Sequence, residues 1–486
     1  MTRGGRGWLL SLQRRLAWIP APLRRRARDL LGGRLERDAA VDDWSAPLIP
    51  TGAGAALVWP SEASVPPAEA TAGVARESDL RCLLVTDSLD ASGMDEFVAF
   101  LARRLRRHGV RTAVLIASDD PHRGVGGLGR TLAAEGIEVA DPGRAGGTDW
   151  IRGWRPDVLS VHGSADWALE SAAELGIPAV ETLHGMHNLF GAPAHRVARR
   201  RALVAGFVSV SEMVRLQYLA LDPGLDPGRI VTVPNGVDPN RVRAVSRDLA
   251  RDALGLDDEF LFVSLARHSL QKNGYALVSA FDEVAHSVAG AHLLVCGRAD
   301  DHSYAGQVVS LAGRMAHGDR VHLRGNTPHV GALLAAADAF VLDSFFEGWS
   351  LSSMEALAAG VPSVVSDVGG AREQLSGGPA KGVLVANPLG DPLAVDWPAI
   401  SAARFRPQAN RAELVAAMTA LADGSLPVDA PELIAADSIA RFDDELCIRR
   451  HAHALSAAAD GRPLGLPPHL AVGVDHLGTM GGSGAG

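Results

Sequence analysis

Lysine is almost missing from this chain. Of 486 residues only Lys272 and Lys381 are lysines, and the other 45 of the 47 Lys and Arg residues are arginine. Such depletion fits a GC-rich genome in which arginine codons displace lysine at indifferent positions, so a lysine that persists at a loop position invites a functional reading. Cysteine is also scarce. Cys82, Cys296 and Cys447 are odd in number and far apart, which excludes a disulfide framework and a cysteine-rich metal site and leads to the expectation of a reducing cytoplasm. No apolar run reaches the roughly 18 residues of a membrane span. No D-x-D pair offers an acidic metal clamp, and no G-x-S-x-G nucleophile elbow occurs.

What is present reads as a soluble α/β protein. Hydrophobic residues make up 47% and charged residues 21%, and the length calls for two domains with tails. The net charge of −9 is uneven: residues 1–40 carry ten arginines against Asp29, Glu36 and Asp38. The remainder is strongly acidic, which excludes a nucleic-acid-binding body. Residues 8–31 mix Trp8, Leu9, Leu10, Leu12, Leu16, Trp18 and Ile19 with arginine clusters and lack a signal-peptide core. They could lie on an anionic membrane surface; the plainer alternative is a basic extension. Localisation is therefore expected to be cytoplasmic, with peripheral contact at the inner membrane face as an option.

Residues 41–78 are rich in Pro, Ala, Ser and Gly and read as a linker, with order beginning near residue 79. From there short apolar strands alternate with helical patterns. RCLLVTDSL, the loop ASGMDE and DEFVAFLARRLRRHG give a β-loop-α unit, and TAVLIAS is the next strand. DVLSVHG, IPAVETLHG, AGFVSVS and RIVTVPNGVD continue the series. A second series runs through EFLFVSLARHS, AHLLVCGR, RVHLRGN, DAFVLDS and PSVVSDVGG. Two parallel sheets with a seam near 235–255 are predicted, each binding ligands off the carboxyl ends of its strands. Residues 431–460 read as terminal helices, and 461–486 as a disordered tail.

The richest segment is SFFEGWSLSSMEALAAGVPSVVSDVGGAREQL, where Glu347 and Glu355 stand eight apart. A strand runs into the loop EGWSL, and Ser350 or Ser352 can cap the following helix. The N–H groups at that helix start suit a phosphate. Glu355, one turn in, can accept hydrogen bonds from ribose hydroxyls, and Glu347 at the mouth can contact a sugar or stabilise positive charge at a sugar carbon. Arg267 and Lys272 lie in the loop after the first strand of the same domain, at the same sheet edge. Two cations there would neutralise a diphosphate and stabilise it as it leaves; the plainer reading is a solvated surface pair.

The E-x7-E element Glu347/Glu355, the Arg267…Lys272 pair, VPNGVD, PDVLSVHG, TLHG and VGGAREQL occur in one order. Through them residues 80–450 resemble the family 4 retaining glycosyltransferases. The resemblance implies the GT-B fold, two Rossmann-like parallel-sheet domains facing across a cleft: residues 79–235 for the acceptor and 236–430 for a nucleotide-sugar, with 431–460 packing back. It implies that Arg267 and Lys272 bind the donor diphosphate and that Glu355 holds the ribose. Glu347 and the backbone of Gly348, Trp349, Ser350 and Leu351 would contact sugar and phosphate. Gly93 would admit the phosphates, and His184 would sit near the transferred sugar. The nucleotide-sugar, UDP- or GDP-linked, is a co-substrate, and no metal or other cofactor is implied. Two departures stand out: the first loop has Ser92 before Gly93 where the family often has two glycines, and GWSL replaces the common G-F-G-L.

Weaker signals remain. Asn235, in PNGVD, reads as a turn residue at positive φ, with a ligand role as the alternative. GVGGLG at 124–129 satisfies G-x-G-x-x-G but lies well past its strand, as a mobile cleft loop rather than a dinucleotide fingerprint. His451 and His453, two apart, do not share a helix face for a metal. The expected function is sugar transfer to a cell-surface polysaccharide, glycolipid or metabolite acceptor. The alternatives are a GT-B epimerase or phosphorylase, a non-catalytic nucleotide-sugar binder, and an oxidoreductase.

Overall fold

The structure, a computed structural model, describes residues 41–49, 57–60 and 80–471, apart from 91, 119–123, 164–165, 188, 238–241 and 243–244. The arginine-rich 8–31 segment lies outside the described residues. Among those described, no helix is long and apolar enough to cross a membrane.

Two parallel sheets dominate. The first contains β1 (Leu80–Thr86), β2 (Val110–Ile116), β3 (Glu138–Ala140), β4 (Val158–His162), β5 (Ala179–Leu183), β6 (Gly206–Ser209) and β7 (Ile230–Thr232), in the order β3-β2-β1-β4-β5-β6-β7. The second contains β8 (Phe260–Leu265), β9 (Ala291–Cys296), β10 (Val321–Arg324), β11 (Ala339–Leu342), β12 (Ser363–Ser366) and β13 (Gly382–Val385), in the order β10-β9-β8-β11-β12-β13. Helices cover both faces, so the strands are buried on both sides and read as continuous apolar runs such as Leu83-Leu84-Val85. In each sheet the chain reverses its direction of growth beside the first strand, between β1 and β4 and between β8 and β11. The loops leaving those strands open a crevice, which is where open α/β sheets place ligands. This is the GT-B architecture.

The chain ends cross between the lobes. Helix Pro431–Arg441 stays with the second lobe, where buried Lys381 pairs with Asp437. Helix Asp444–Ala459 returns to the first: Cys447, Ile448 and Leu455 pack with Cys82, Val158 and Val180. Arg104 meets Asp444 at 3.0 Å.

Two sequence expectations are corrected. Residues 41–49 and 57–60 are not a free linker. Asp42 bridges to Arg324 at the β10 edge, Leu48 is buried, and Trp44 and Trp59 join the core of the second lobe. Four large apolar side chains, Trp44, Leu48, Leu57 and Trp59, outweigh the Pro/Ala composition. Residues 461–471 are likewise packed: Leu464 and Leu470 are buried, and Leu470 O accepts a 2.7 Å hydrogen bond from Arg450 Nε.

Candidate active site

The cleft between the lobes has a volume of about 1440 Å³ and is lined from both sheets. On the second lobe the loops after β8 and β11 are stitched together. Gln271 accepts at its backbone oxygen from Phe345 N (2.9 Å) and donates its side-chain amide to Phe346 O (3.0 Å). Asn273 adopts a left-handed conformation, φ 53°, which ends the short 3-10 turn Leu270–Lys272 and starts helix Gly274–Ser287. Its Nδ2 donates to Asp343 Oδ2 at 2.9 Å, and Asn410 Nδ2 donates to Asp343 Oδ1 at 2.7 Å. Burial pushes the Asp343 carboxyl up to about 7 despite these two donors. Within this frame Lys272 Nζ is 2.5 Å from Glu347 Oε1, and Ser344 Oγ donates to the same oxygen at 2.6 Å.

Arg267 is anchored by Asp300 (2.5 Å) and by Gln271 Oε1 (3.0 Å), and Arg298 reaches the other Asp300 oxygen at 2.6 Å. Burial would raise the Asp300 carboxyl, but the hydrogen bonds from Arg298 and Arg267 outweigh it and hold the group below its ordinary value. The result is a row of three cations on one wall, each fixed by a carboxylate partner.

Ser350 caps helix Leu351–Ala358, accepting from Ser353 N at 3.3 Å. The first N–H groups of that helix have no partner within it and carry the positive end of its dipole. Glu355 is buried and lines the cleft one turn in. Trp349 turns its side chain inward: its Nε1 lies 3.1 Å from Met354 Sδ and its ring meets Phe442 edge-on at 5.1 Å.

The first lobe supplies the facing wall. Ser92 and Asp95 form a capping box at helix Gly93–Arg104. A Cβ on Gly93 would meet Leu351 Cδ1 at 3.6 Å, so two helix N-termini face each other across the cleft. His184 follows β5, with its Nε2 2.8 Å from His162 Nδ1, and His162 Nε2 is 3.0 Å from Ser160 Oγ. Burial, then the neighbouring His451 and His187, lowers His184 to about 3. His187 is lowered as well, by burial and then by Arg267. Gly348 brings the lobes into contact: a Cβ there would lie 1.9 Å from His184 O.

Thus all the site residues read from the sequence, Gly93, His184, Arg267, Lys272, Glu347, Gly348, Trp349, Ser350, Leu351 and Glu355, line one cleft. Arg298, Asp300, Asp343 and His162 were missed. Each lies at or just past a strand's carboxyl end, the position that marked Arg267. Asn235 is corrected: it is buried in the cleft wall and its φ is not positive. Neighbouring Gly236 allows a close approach, since a Cβ there would be 2.6 Å from Asp444 Cα. GVGGLG is corrected in part. It lines the cleft but opens helix Gly127–Ala134, with Gly126 packed on Leu89 and Asp90.

Residues 91–241 match the family model described as Glycosyltransferase Family 4, and residues 246–395 match Glycosyl transferases group 1. The chain belongs to this glycosyltransferase family. Among similar glycosyltransferases is the D-inositol 3-phosphate glycosyltransferase of Segniliparus rotundus, 27% identical over 320 residues (58% of this chain, 70% of that one). The protein of the same name from Xylanimonas cellulosilytica is 29% identical over 371 residues (67% and 86%). Mycobacterium tuberculosis glycogen synthase is 28% identical over 304 residues (56% and 66%). Among solved structures, Anabaena HepE in complex with UDP-glucose superposes with a TM-score of 0.61 at 17% identity, covering 78% of this chain and all of that one. WaaG, involved in lipopolysaccharide biosynthesis, superposes at 0.52 and 15% identity, covering 78% and 100%. At these identities the superpositions speak to fold alone.

Proposed function

We propose that this glycosyltransferase moves a hexose from a nucleoside diphosphate sugar, UDP- or GDP-linked, to an acceptor hydroxyl with retention of configuration. The observation that carries this reading is the meeting of Arg267, Lys272 and the N-terminus of helix Leu351–Ala358 on one cleft wall, with Glu355 one turn in. The cations match the two charges of a diphosphate, and the helix start offers N–H groups to its oxygens. Glu355 then holds the ribose. Anabaena HepE, similar in fold, is in complex with UDP-glucose, a donor of this chemical class.

As the bond from the sugar carbon to the phosphate oxygen breaks, negative charge grows on the diphosphate. Arg267 and Lys272 stabilise it more in the transition state than in the ground state. The acceptor hydroxyl attacks from the face that the phosphate leaves, and its proton passes to the leaving oxygen. Glu347 supports the positive charge on the sugar carbon. His184, kept neutral by burial, hydrogen-bonds the sugar. The side-chain cations neutralise the diphosphate without a metal ion. Lobe closure excludes water and protects the donor. Acceptors on this reading are cell-surface polysaccharides, glycolipids or metabolites, met in the cytoplasm or at the inner membrane face.

The test is product analysis by NMR with UDP- and GDP-sugars, in EDTA, over a panel of hydroxyl acceptors. A new glycosidic bond of unchanged anomeric configuration is expected. Sugar isomerisation with donor alone, or sugar 1-phosphate formed on adding phosphate, would replace transfer by an epimerase or phosphorylase reaction.

A further inference from the structure

Ahead of the first lobe, the chain docks on the second. Asp42 extends the edge of the second sheet: its N–H donates to Leu323 O (3.1 Å), and its carbonyl accepts from Gly325 N (2.9 Å). Its carboxylate receives Arg324 Nη1 at 2.6 Å. Trp44 Nε1 donates to Gly325 O at 2.9 Å. Trp44 meets Trp59 edge-on at 5.1 Å, and Trp59 stacks on His329 at 4.7 Å. Leu48 N donates to Leu254 O at 2.9 Å, and its side chain enters the core.

Apart from those of Leu48, these contacts converge on β10 and the loop that leaves it. Residues 325–329 leave the carboxyl end of β10, and Asn326, Thr327 and Pro328 line the cleft beside Ala266, Gly297 and Arg298. Strand order places this corner beyond the Arg267/Arg298 loops, on the side away from Glu347 and helix Leu351–Ala358. A donor with its sugar at Glu347, its diphosphate at Arg267 and Lys272 and its ribose at Glu355 leaves its base to the rest of the same cleft wall, which includes Asn326, Thr327 and Pro328. Loops at ligand sites are positioned by a rigid scaffold; this one is also held from behind by residues more than 260 positions earlier.

We propose that residues 41–49 and 57–60 brace the base-binding corner of the donor cleft, with Trp59 and Trp44 as positioning residues for nucleotide affinity. Trp59 stacking fixes His329, and Trp44 and Asp42 fix Gly325, so the loop between them is set before a base arrives. The inference rests on the nucleotide-sugar reading above.

Calorimetric titration of UDP, GDP and ADP into the full-length chain and its Trp59→Ala and Trp59→Phe variants tests it, alongside donor KM and kcat. The expected result is a roughly tenfold rise in Kd and in donor KM for Trp59→Ala, a change of about 1.4 kcal/mol, with kcat nearly unchanged. Trp59→Phe, which can still stack, is expected to recover most of the affinity. Melting temperatures establish folding, and Trp59→Leu, which covers the same apolar surface without stacking, is read if Trp59→Ala does not fold. Nucleotide binding by the parent chain with equal affinity in folded Trp59→Ala or Trp59→Leu overturns the brace alone. Absence of nucleotide binding by the folded parent overturns the nucleotide-sugar reading and the brace with it.

Discussion

Lys272 Nζ stands 2.5 Å from Glu347 Oε1, across the two loops that flank the switch point of the second sheet. Arg267 and Arg298 share Asp300 in the same way. The cations are thus oriented before a ligand arrives, and an entering diphosphate must compete with Glu347 for the lysine. Preorganised charge of this kind needs little rearrangement when the leaving group develops its own.

Lys272→Ala is expected to lower kcat by roughly 10²-fold or more, the range seen on removing one electrostatic stabiliser. It also leaves the buried Glu347 without its cation, so melting temperature should be followed in parallel. Near-normal turnover by a folded variant would refute the role given to Lys272.

Gly348→Ala should act through the contact between lobes. Its methyl would fall 1.9 Å from His184 O, a backbone atom that cannot yield cheaply. The lobes must part to admit it. Expected are a larger radius of gyration by small-angle scattering and a large loss of activity, with circular dichroism unchanged. A compact, active variant would show that the lobes do not need this close approach.

The buried histidines make acid stability a readable quantity. Burial lowers His451 to about 4 and His184 to about 3, each with help from neighbouring cations or histidines, and His162 goes well below its ordinary value. Groups lowered in the folded state bind more protons when unfolded, so stability is full above about pH 6.5 and falls as pH drops toward 4. His451 Nε2 is buried with no hydrogen-bond partner among the described residues, so His451→Leu removes one such group at little packing cost. From pH 7 to 5 the variant should lose less stability than the parent, by roughly 1–2 kcal/mol. Equal losses in urea titrations would contradict the assignment.

Asp343 runs the other way. Its carboxyl, raised to about 7 by burial, contributes stability that is complete below about pH 3.9 and is lost as pH rises through 7. Asp343→Asn removes that titration. The stability difference between parent and variant should therefore shift toward the variant between pH 5 and 8, by on the order of 2 kcal/mol. A pH-independent difference would mean that Asp343 is already ionised at pH 5.

The donor side was legible because its residues sit in two short stretches, 267–272 and 347–355, each following an apolar strand. The parallel sheets were legible for the same reason: strands buried on both faces give unbroken apolar runs. What stayed hidden depends on distant partners. Trp44 bonds to a carbonyl 281 residues away, and no local pattern distinguishes that from a linker. Arg298 and Asp300 carry no motif, and only the loop geometry joins them to Arg267. Lysine scarcity pointed to Lys272, yet Lys381, equally rare, is buried against Asp437 in a structural pair. Rarity marks a constrained position without saying what constrains it.

The most direct measurement is calorimetric titration of UDP-, GDP-, dTDP- and ADP-sugars into the full-length protein and into its Lys272→Ala and Glu355→Ala variants. Micromolar binding of one nucleotide-sugar, lost in both folded variants, is the expected result. Binding that persists unchanged in both variants, or no binding of any donor by the folded parent, would contradict a donor site built on Lys272 and Glu355.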